Sequence, residues 1–306
     1  MKKFQARGKL LISAEYMVLH GSLALAIPLQ KGQTLKKIKS SNPSLLSWRA
    51  YHNEDRWFSA VFKLTTLELV ESSDQDKALD LQKLLRACVN LEPHFQTELR
   101  AWDVETHLDF SPEWGFGSSS TLTALMGQWA GISPLDLHFS TSKGSGYDVA
   151  CATADQAILY SLRNNEPRYQ VVPFQPPFAS SLYFVWLGNK QATGKHLTEM
   201  AGQLSPEPED IRQITSLTQA MLECSNLSDF RKLMEEHEEN IAGLTGIKRV
   251  AETTFPGLKG SVKSLGAWGG DFVLIATDQE EKELFNYLDG LGLQTRFSYK
   301  DLVYGS

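Results

Sequence analysis

The spacing of apolar residues in the first half of the chain predicts a mixture of strands and helices. Four short segments are apolar throughout or alternate with polar positions, as β-strands do: 10–14, 45–51, 57–64 and 99–109. Between the last two, apolar residues recur every three or four positions over 76–89, which predicts an amphipathic helix. A second helix is predicted over 121–130.

The second half repeats this mixture. Strands are predicted at 182–187, at 272–277 and near 294–299, and helices at about 194–203, 211–221, 227–241 and 279–290. The charge run Glu235-Glu236-His237-Glu238-Glu239 is predicted to be a solvated face of the third of these helices. Strands and helices in both halves favour an α+β architecture.

A cluster of chain breakers marks a domain boundary. Pro167, Pro173, Pro176 and Pro177 fall between the apolar runs 157–162 and 182–187. We therefore predict an N-terminal domain over 1–172 and a C-terminal domain over 173–306. A length of 306 residues agrees with two domains, because single hydrophobic cores seldom grow that large.

Composition narrows the class of protein. With 42% hydrophobic and 22% charged residues, and no run approaching the ~18 apolar residues that cross a bilayer, a soluble protein without a membrane partner is expected. Three widely spaced cysteines indicate neither a disulfide framework nor a zinc site, which fits a reducing cytoplasm. A net charge of −6 provides no basic footprint for nucleic acid.

The strongest ligand-binding signal directly precedes the predicted helix at 121–130. Gly115 and Gly117 allow the backbone to approach a ligand closely, and three hydroxyls follow at Ser118, Ser119 and Ser120. The start of a helix adds unpaired N–H groups and the positive end of its dipole, which favour a phosphate. A Gly-Ser turn that only caps the helix is the alternative.

Three further segments carry candidate chemistry. Lys9 begins the predicted strand 10–14, and Glu15 and His20 follow it over a short turn, although a lysine in this position is commonly a solvated surface residue. Asp148 enters an apolar segment just after Ser145 and Gly146, where a carboxylate needs a lysine or a magnesium ion as partner unless it only caps a helix.

The last segment, 257–271, is rich in glycine and precedes the strand predicted at 272–277. Its glycines are consistent with a simple hairpin. Together with Lys259 and Lys263 they are equally consistent with a second backbone surface that closes over phosphates.

In this order, the four segments resemble the motifs of the GHMP kinase superfamily of galactokinases, homoserine kinases, mevalonate kinases and phosphomevalonate kinases. Segment 8–21 is similar to the first motif, 112–120 to the PxxxGLGSSA phosphate loop, and 257–271 to the third motif. Within the superfamily, 144–150 (GSGYDVA) is close to the GSGFDVA of phosphomevalonate kinases. Residues 191–193 are similar to an A-S-T segment in the second domain of those enzymes.

The resemblance implies a ribosomal-S5-like N-terminal domain, a ferredoxin-like C-terminal domain, and ATP and Mg²⁺ as cofactors. It implies ATP-phosphate binding by Gly115, Gly117, Ser118, Ser119 and Ser120, and metal binding by Ser119 and Asp148. Lys9 and Asp148 would be the catalytic residues that face the acceptor. Substrate contacts are implied for Glu15, His20, Ser145, Gly146, Thr193, Lys263, Gly266 and Gly269.

The expected function is ATP-dependent phosphorylation of a small molecule, namely phosphomevalonate or mevalonate, by a monomer or homodimer. Two features depart from the family: the segment between Ser119 and Asp148 is short, and Trp268 interrupts the glycine-rich loop. They leave open a GHMP-fold sensor that binds nucleotide or metabolite without catalysis. A decarboxylating relative that acts on diphosphomevalonate is the third interpretation.

Overall fold

The computed structural model of the chain describes residues 3–188, 202–266 and 272–306. These residues form two compact units. Unit 1 comprises Met1–Gly8, Lys31–Pro112 and Phe116–Thr153; unit 2 comprises Lys9–Gln30, Glu113–Gly115 and Ala154–Ser306. The unit boundaries fall elsewhere than at residue 172, and the division into domains 1–172 and 173–306 stays a prediction.

Unit 1 is a layer of helices on a β-sheet. The strands, in the order β5-β4-β3-β6-β2, are Leu69–Ser72, Asp55–Lys63, Leu45–His52, Trp102–Leu108 and the second part of Ala24–Lys39. Strands β3 and β6 pair in parallel. The helices are α1 (Gln75–Leu91), α2 (Phe95–Leu99), α3 (Ser118–Ala130), α4 (Pro134–Thr141) and α5 (Tyr147–Ala152). Trp48, Phe62 and Leu85 belong to the core between these layers.

Unit 2 contains an antiparallel four-stranded sheet in the order β10-β11-β9-β12, made of Ser261–Leu265, Phe272–Ala276, Leu182–Trp186 and Arg296–Ser298. Its helices are α6 (Pro208–Glu223), α7 (Leu227–Thr245), α8 (Val250–Thr253), α9 (Glu281–Gly290) and α10 (Tyr299–Leu302). Val185, Val273 and Leu284 lie in the core of this sheet.

A second set of strands in unit 2 surrounds the start of β2. Residues Ala24 to Ala26 of β2 pair with β7 (Ile158–Arg163), which pairs with β8 (Glu166–Val171). The strand β1 (Lys3–Leu11) runs from unit 1 into unit 2 and is followed by a 3-10 helix at Met17–His20. A further 3-10 helix occupies Ala179–Ser181.

The α+β class is confirmed, as are most elements with clear periodicity, including α1, α3, α6, α7 and α9. The strand predicted at 10–14 is wrong in position, because β1 ends at Leu11 and the chain then turns. The segment 99–109 is strand only from Trp102, after α2 has ended. The helix predicted at 194–203 falls mainly on residues outside the described ranges.

The sixteen-residue strand β2 has no counterpart among the predicted elements. Its first six residues are all buried, so the two faces of the strand do not differ in polarity and no alternation marks it. Within the described residues, 3–188, 202–266 and 272–306, no helix is long and apolar enough to cross a membrane.

Candidate active site

The Gly-Ser run forms a left-handed loop that leads into α3. Gly115 has φ 65° and Gly117 φ 87°, a region that residues with a Cβ rarely adopt. Gly117 occupies the N-cap position of α3, and no side chain caps this helix. Ser120 Oγ instead donates to the carbonyl of Gly117 at 2.9 Å. The serines are therefore not side-chain caps, and the first turn of α3 can offer its N–H groups to an anion.

Lys9 contacts the beginning of this loop. Its side chain extends from β1, is half-buried, and donates from Nζ to the carbonyl oxygen of Gly115 at 3.0 Å. The alternative of a freely solvated surface lysine therefore does not fit. The contact places a positive charge beside the backbone of Gly115, where it can act on a bound anion.

Asp148 lies in the first turn of α5, directly after a constrained glycine. The helix begins at Tyr147, with Gly146 at the N-cap position and φ 80°. A Cβ on Gly146 would meet the rings of His138 and Phe139 at 3.2 Å, and a φ of 80° is strained for a residue with a Cβ, so glycine is favoured there. Asp148 is half-buried, and its Oδ1 accepts a hydrogen bond from the N–H of Val149 at 3.0 Å. Its other oxygen, Oδ2, forms no hydrogen bond with the residues that the structure describes and is therefore available to a metal or substrate.

His20 lines an open cleft in unit 2. It is the last residue of the 3-10 helix Met17–His20, and the cleft of about 330 Å³ also includes Arg163 and Asn164. This volume is sufficient for a small metabolite. Histidine and arginine side chains together favour an anionic group on that metabolite.

Glu15 and Lys263 form an ion pair in the interior of unit 2. Lys263 donates from Nζ to Glu15 Oε1 and, at 3.0 Å, to the carbonyl of Ser264. Both side chains have 0% exposure. Lys263 belongs to β10, which pairs antiparallel with β11, whereas residues 267–271 between the two strands lie outside the described residues. Lys263 is part of a buried strand and not of a glycine loop over phosphates.

The prediction that residues 235–239 form a solvated face of α7 is wrong for two of these five residues. His237 is 0% exposed and Glu238 is 2% exposed. His237 Nε2 accepts from the N–H of Ala14 at 2.9 Å, and Glu238 Oε1 accepts from the N–H of Ser264 at 3.1 Å. The signal was present in the sequence, since His237 continues the apolar spacing from Met234 to Ile241.

Glu15, His237, Glu238 and Lys263 thus form one group, named here the buried cluster. Burial has the largest effect on the pKa values of its two carboxyl groups and its imidazole. Burial raises the pKa of Glu15, which Lys263 opposes, and raises the pKa of Glu238 to about 8. Burial and the charge of Lys263 lower the pKa of His237. With Glu238 protonated and His237 neutral at pH 7, the groups that remain to balance one another are those of the Glu15–Lys263 ion pair.

Comparison with known proteins identifies the fold. No protein-family model matches the chain, and no curated sequence is significantly similar. Solved structures match over nearly all of it. Streptococcus pneumoniae phosphomevalonate kinase in complex with phosphomevalonate and AMPPNP has a TM-score of 0.70 at 18% identity, covering 97% of this chain and 99% of that chain. The Methanococcus jannaschii mevalonate kinase has a TM-score of 0.69 at 17% identity, covering 97% and 96%. The chain has the GHMP kinase fold.

The GHMP kinase fold is shared more widely than these two structures. The Lactococcus lactis galactokinase complexed with galactose has a TM-score of 0.66 at 12% identity, covering 100% of this chain and 94% of that chain. The resemblance drawn from the motifs is therefore confirmed for the fold.

The residues implied by the GHMP kinase resemblance are distributed over both units. Unit 1 contains Gly117, Ser118, Ser119, Ser120, Ser145, Gly146 and Asp148, and unit 2 contains Lys9, Glu15, His20, Gly115, Lys263 and Gly266. Thr193, Gly269 and Trp268 lie outside the described residues. Within the described ranges, no group of three or more His, Cys, Asp or Glu side chains is placed to hold a metal ion.

Replacing Glu238 with glutamine is expected to stabilise this GHMP kinase fold at alkaline pH. The folded protein retains a proton on Glu238 that the unfolded chain releases above its ordinary pKa of 4.5, so the free energy of unfolding falls as pH rises from about 4.5 to 8. Glu238→Gln removes this loss, which corresponds to about 1.4 kcal/mol per pKa unit. Urea unfolding at a series of pH values should show the variant gaining several kcal/mol on the wild type across that window.

The matched control is Glu236→Gln, an exposed residue on the same helix. It should follow the wild-type pH dependence. Parallel stability curves for Glu238→Gln and the wild type would show that Glu238 is ionised in the folded protein at neutral pH.

Proposed function

We propose that this protein is an ATP-dependent kinase of a small molecule. The observation that carries the proposal is the Gly-Ser loop, in which two left-handed glycines precede an uncapped helix start and Lys9 contacts the first glycine. Such an arrangement binds phosphate groups through backbone N–H groups and positive charge. Similarity to solved kinases of three different small molecules supports the same conclusion.

In this proposal the phosphates of ATP bind at Gly115, Gly117, Ser118, Ser119 and Ser120. Ser119 and Asp148 would hold Mg²⁺, which neutralises charge on the phosphates when bound. Hydroxyl and carboxylate oxygens suit this ion, which usually takes only one or two protein carboxylates and completes its shell with phosphates and water. This accords with a single half-buried aspartate in the first turn of α5.

Lys9 and Asp148 would be the catalytic residues. Phosphoryl transfer depends mainly on positioning and on positive charge around the moving group, and Lys9 would supply that charge. Asp148 would accept the proton of a hydroxyl acceptor such as mevalonate. A phosphate acceptor is already ionised and needs cations instead, for which His20 and Arg163 in the cleft of unit 2 are suited.

The acceptor in this proposal is phosphomevalonate or mevalonate. The support is the GSGYDVA sequence at 144–150 and the kinases that the fold resembles. His20, Ser145 and Gly146 would contact the acceptor. Glu15 and Lys263, which are paired and buried, would act by supporting the turn at 13–16.

The two domains proposed for the chain have different folds. The order β10-β11-β9-β12 and the chain succession strand, helices, two strands, helix, strand support a ferredoxin-like C-terminal domain over 173–306. The N-terminal domain over 1–172 would be the ribosomal-S5-like one.

An acceptor screen tests the function. ADP release with Mg²⁺-ATP is measured in the presence of mevalonate, phosphomevalonate, homoserine or galactose, and turnover is expected with one of the first two. A Gly117→Val preparation controls for contaminating kinases, because valine cannot adopt φ 87° without strain. ATP binding without turnover on any acceptor would instead indicate a sensor, and carbon dioxide release from diphosphomevalonate would indicate a decarboxylase.

A further inference from the structure

The turn at residues 13–16 has a strained backbone. Ala14 has φ 67° and Tyr16 has φ 60°, values in the left-handed region where residues with a Cβ are uncommon. Such residues persist only where surrounding contacts hold them in place. The turn directly follows β1, which carries Lys9, and Glu15 lies at its centre. Whatever holds the turn therefore also sets the position of Glu15.

His237 makes a direct contact with this backbone. Its Nε2 accepts a hydrogen bond from the N–H of Ala14 at 2.9 Å. Both residues are completely buried. Loss of the acceptor would leave a donor in the interior without a hydrogen bond, and the turn would have to change conformation to satisfy it.

Ser13, the first residue of the turn, is held by groups that do not titrate. Ser13 Oγ lies 2.8 Å from Thr218 Oγ1 of α6 and accepts from the N–H of Leu25 at 3.0 Å. Two attachments involve titratable groups: the hydrogen bond from the N–H of Ala14 to His237, and the ion pair between Glu15, at the centre of the turn, and Lys263.

The hydrogen bond from Ala14 determines the state of the imidazole. Because Nε2 accepts, it carries no proton, so the ring is neutral and its proton is on Nδ1. The charged groups that face the ring are Glu15 from the turn and Lys263 from β10, with Glu238 next to it on α7. Glu15 Oε2 lies 3.5 Å from the same Nε2. A protonated Nε2 would therefore oppose the N–H of Ala14 and donate to Glu15 instead.

We propose that His237 is a positioning residue, whose neutral Nε2 holds Ala14 in its left-handed conformation and thereby orients Glu15 and the end of the strand that carries Lys9. The role rests on the proposed kinase function, in which the turn supports the acceptor site. His237 itself touches neither substrate nor ATP in this account. It acts through the backbone of Ala14.

Two substitutions separate this role from a purely structural one. His237→Leu removes the acceptor, whereas His237→Gln keeps an acceptor near the position of Nε2 and does not titrate. The measurements are kcat and KM for the acceptor, the dependence of kcat/KM on pH, and the hydrogen exchange rate of the Ala14 amide. Ile241→Val is the matched control, since Ile241 is buried one turn further along α7 and its side chain has no hydrogen-bonding group.

His237→Leu should lower kcat/KM for the acceptor by about 100-fold, as small misplacements in active sites do, and should accelerate exchange at Ala14. His237→Gln should retain activity. In its pH profile, the fall of kcat/KM on the acid side should occur at lower pH than in the wild type. Ile241→Val should match the wild type in both kcat/KM and exchange.

Equal losses of kcat/KM in the two His237 variants would overturn the proposal, and so would unchanged exchange at Ala14 in His237→Leu. If the leucine variant does not fold, the glutamine variant decides: an acid limb identical to the wild type contradicts the role. A wild-type protein without turnover on any acceptor would contradict the kinase function separately, and the exchange rates would still decide whether His237 holds the turn.

Discussion

Lys9→Met and Asp148→Ala are each expected to lower kcat by about 10²- to 10⁴-fold, the range typical for loss of a proton-transferring or charge-stabilising group. Lys9 contributes positive charge next to the loop at Gly115, and Asp148 offers a carboxylate at the start of α5. Neither change should unfold the protein, because both side chains are only half-buried. Steady-state kinetics with the acceptor found in the screen measure the effect.

Each variant has a matched control. Asp136 occupies the first turn of α4 as Asp148 does that of α5, but it is exposed. Lys3 lies on the same strand as Lys9 and is also exposed. Asp136→Ala and Lys3→Met should retain wild-type kcat. Near-normal turnover in a folded Asp148→Ala or Lys9→Met protein would contradict the catalytic role of that residue.

Lys263→Met is expected to lower the free energy of unfolding by about 3–5 kcal/mol, the cost typical of removing one partner from a buried ion pair. Lys263 and Glu15 both have 0% exposure, so water cannot replace the lost partner. Without Lys263, only burial acts strongly on Glu15, and the pKa of Glu15 rises further. A carboxyl group with a raised pKa lowers the free energy of unfolding once the pH exceeds the ordinary pKa of that group, which is 4.5 for Glu15. The loss of stability in Lys263→Met should therefore be smaller near pH 4.5 than at pH 7.

The double variant Glu15→Gln/Lys263→Met is the control for this prediction. Removing both charges takes away the uncompensated carboxylate, so most of the lost stability should return. Urea unfolding of the wild type, the single variant and the double variant measures the difference. A double variant as unstable as Lys263→Met would show that the methylene chain of Lys263, and not its charge, stabilises the interior.

Local patterns predicted those parts of the fold that depend on neighbours in sequence. Helix α1 has its apolar residues three or four positions apart and an N-cap at Asp74, and α3 follows two glycines whose left-handed conformation is a property of residue type. Strand β2 carries no such local signal, because its first part is buried on both faces. Its existence depends on the strands that flank it.

Some residues of the candidate site were likewise predicted from local sequence, and others were not. The Gly-Ser loop, Lys9 and Asp148 were predicted from motifs in which the chemistry is contained in a few consecutive residues. The buried cluster was not predicted, and His237 and Glu238 were assigned to solvent. Its contacts join residues 223 positions apart between Ala14 and His237, and 248 positions apart between Glu15 and Lys263.

The sequence by itself therefore determined the α+β class, the Gly-Ser loop proposed to bind phosphate and the residues proposed for catalysis, because these follow from periodicity and from residue types at short spacing. Only the tertiary structure decided that Lys263 pairs with Glu15 in the interior, that His237 accepts from Ala14, and that the segment after Gly257 enters a buried strand. The physical reason is that the burial and pairing of a charged side chain depend on groups brought together from distant parts of the chain. The residue type and its neighbours in sequence do not indicate whether such a partner exists.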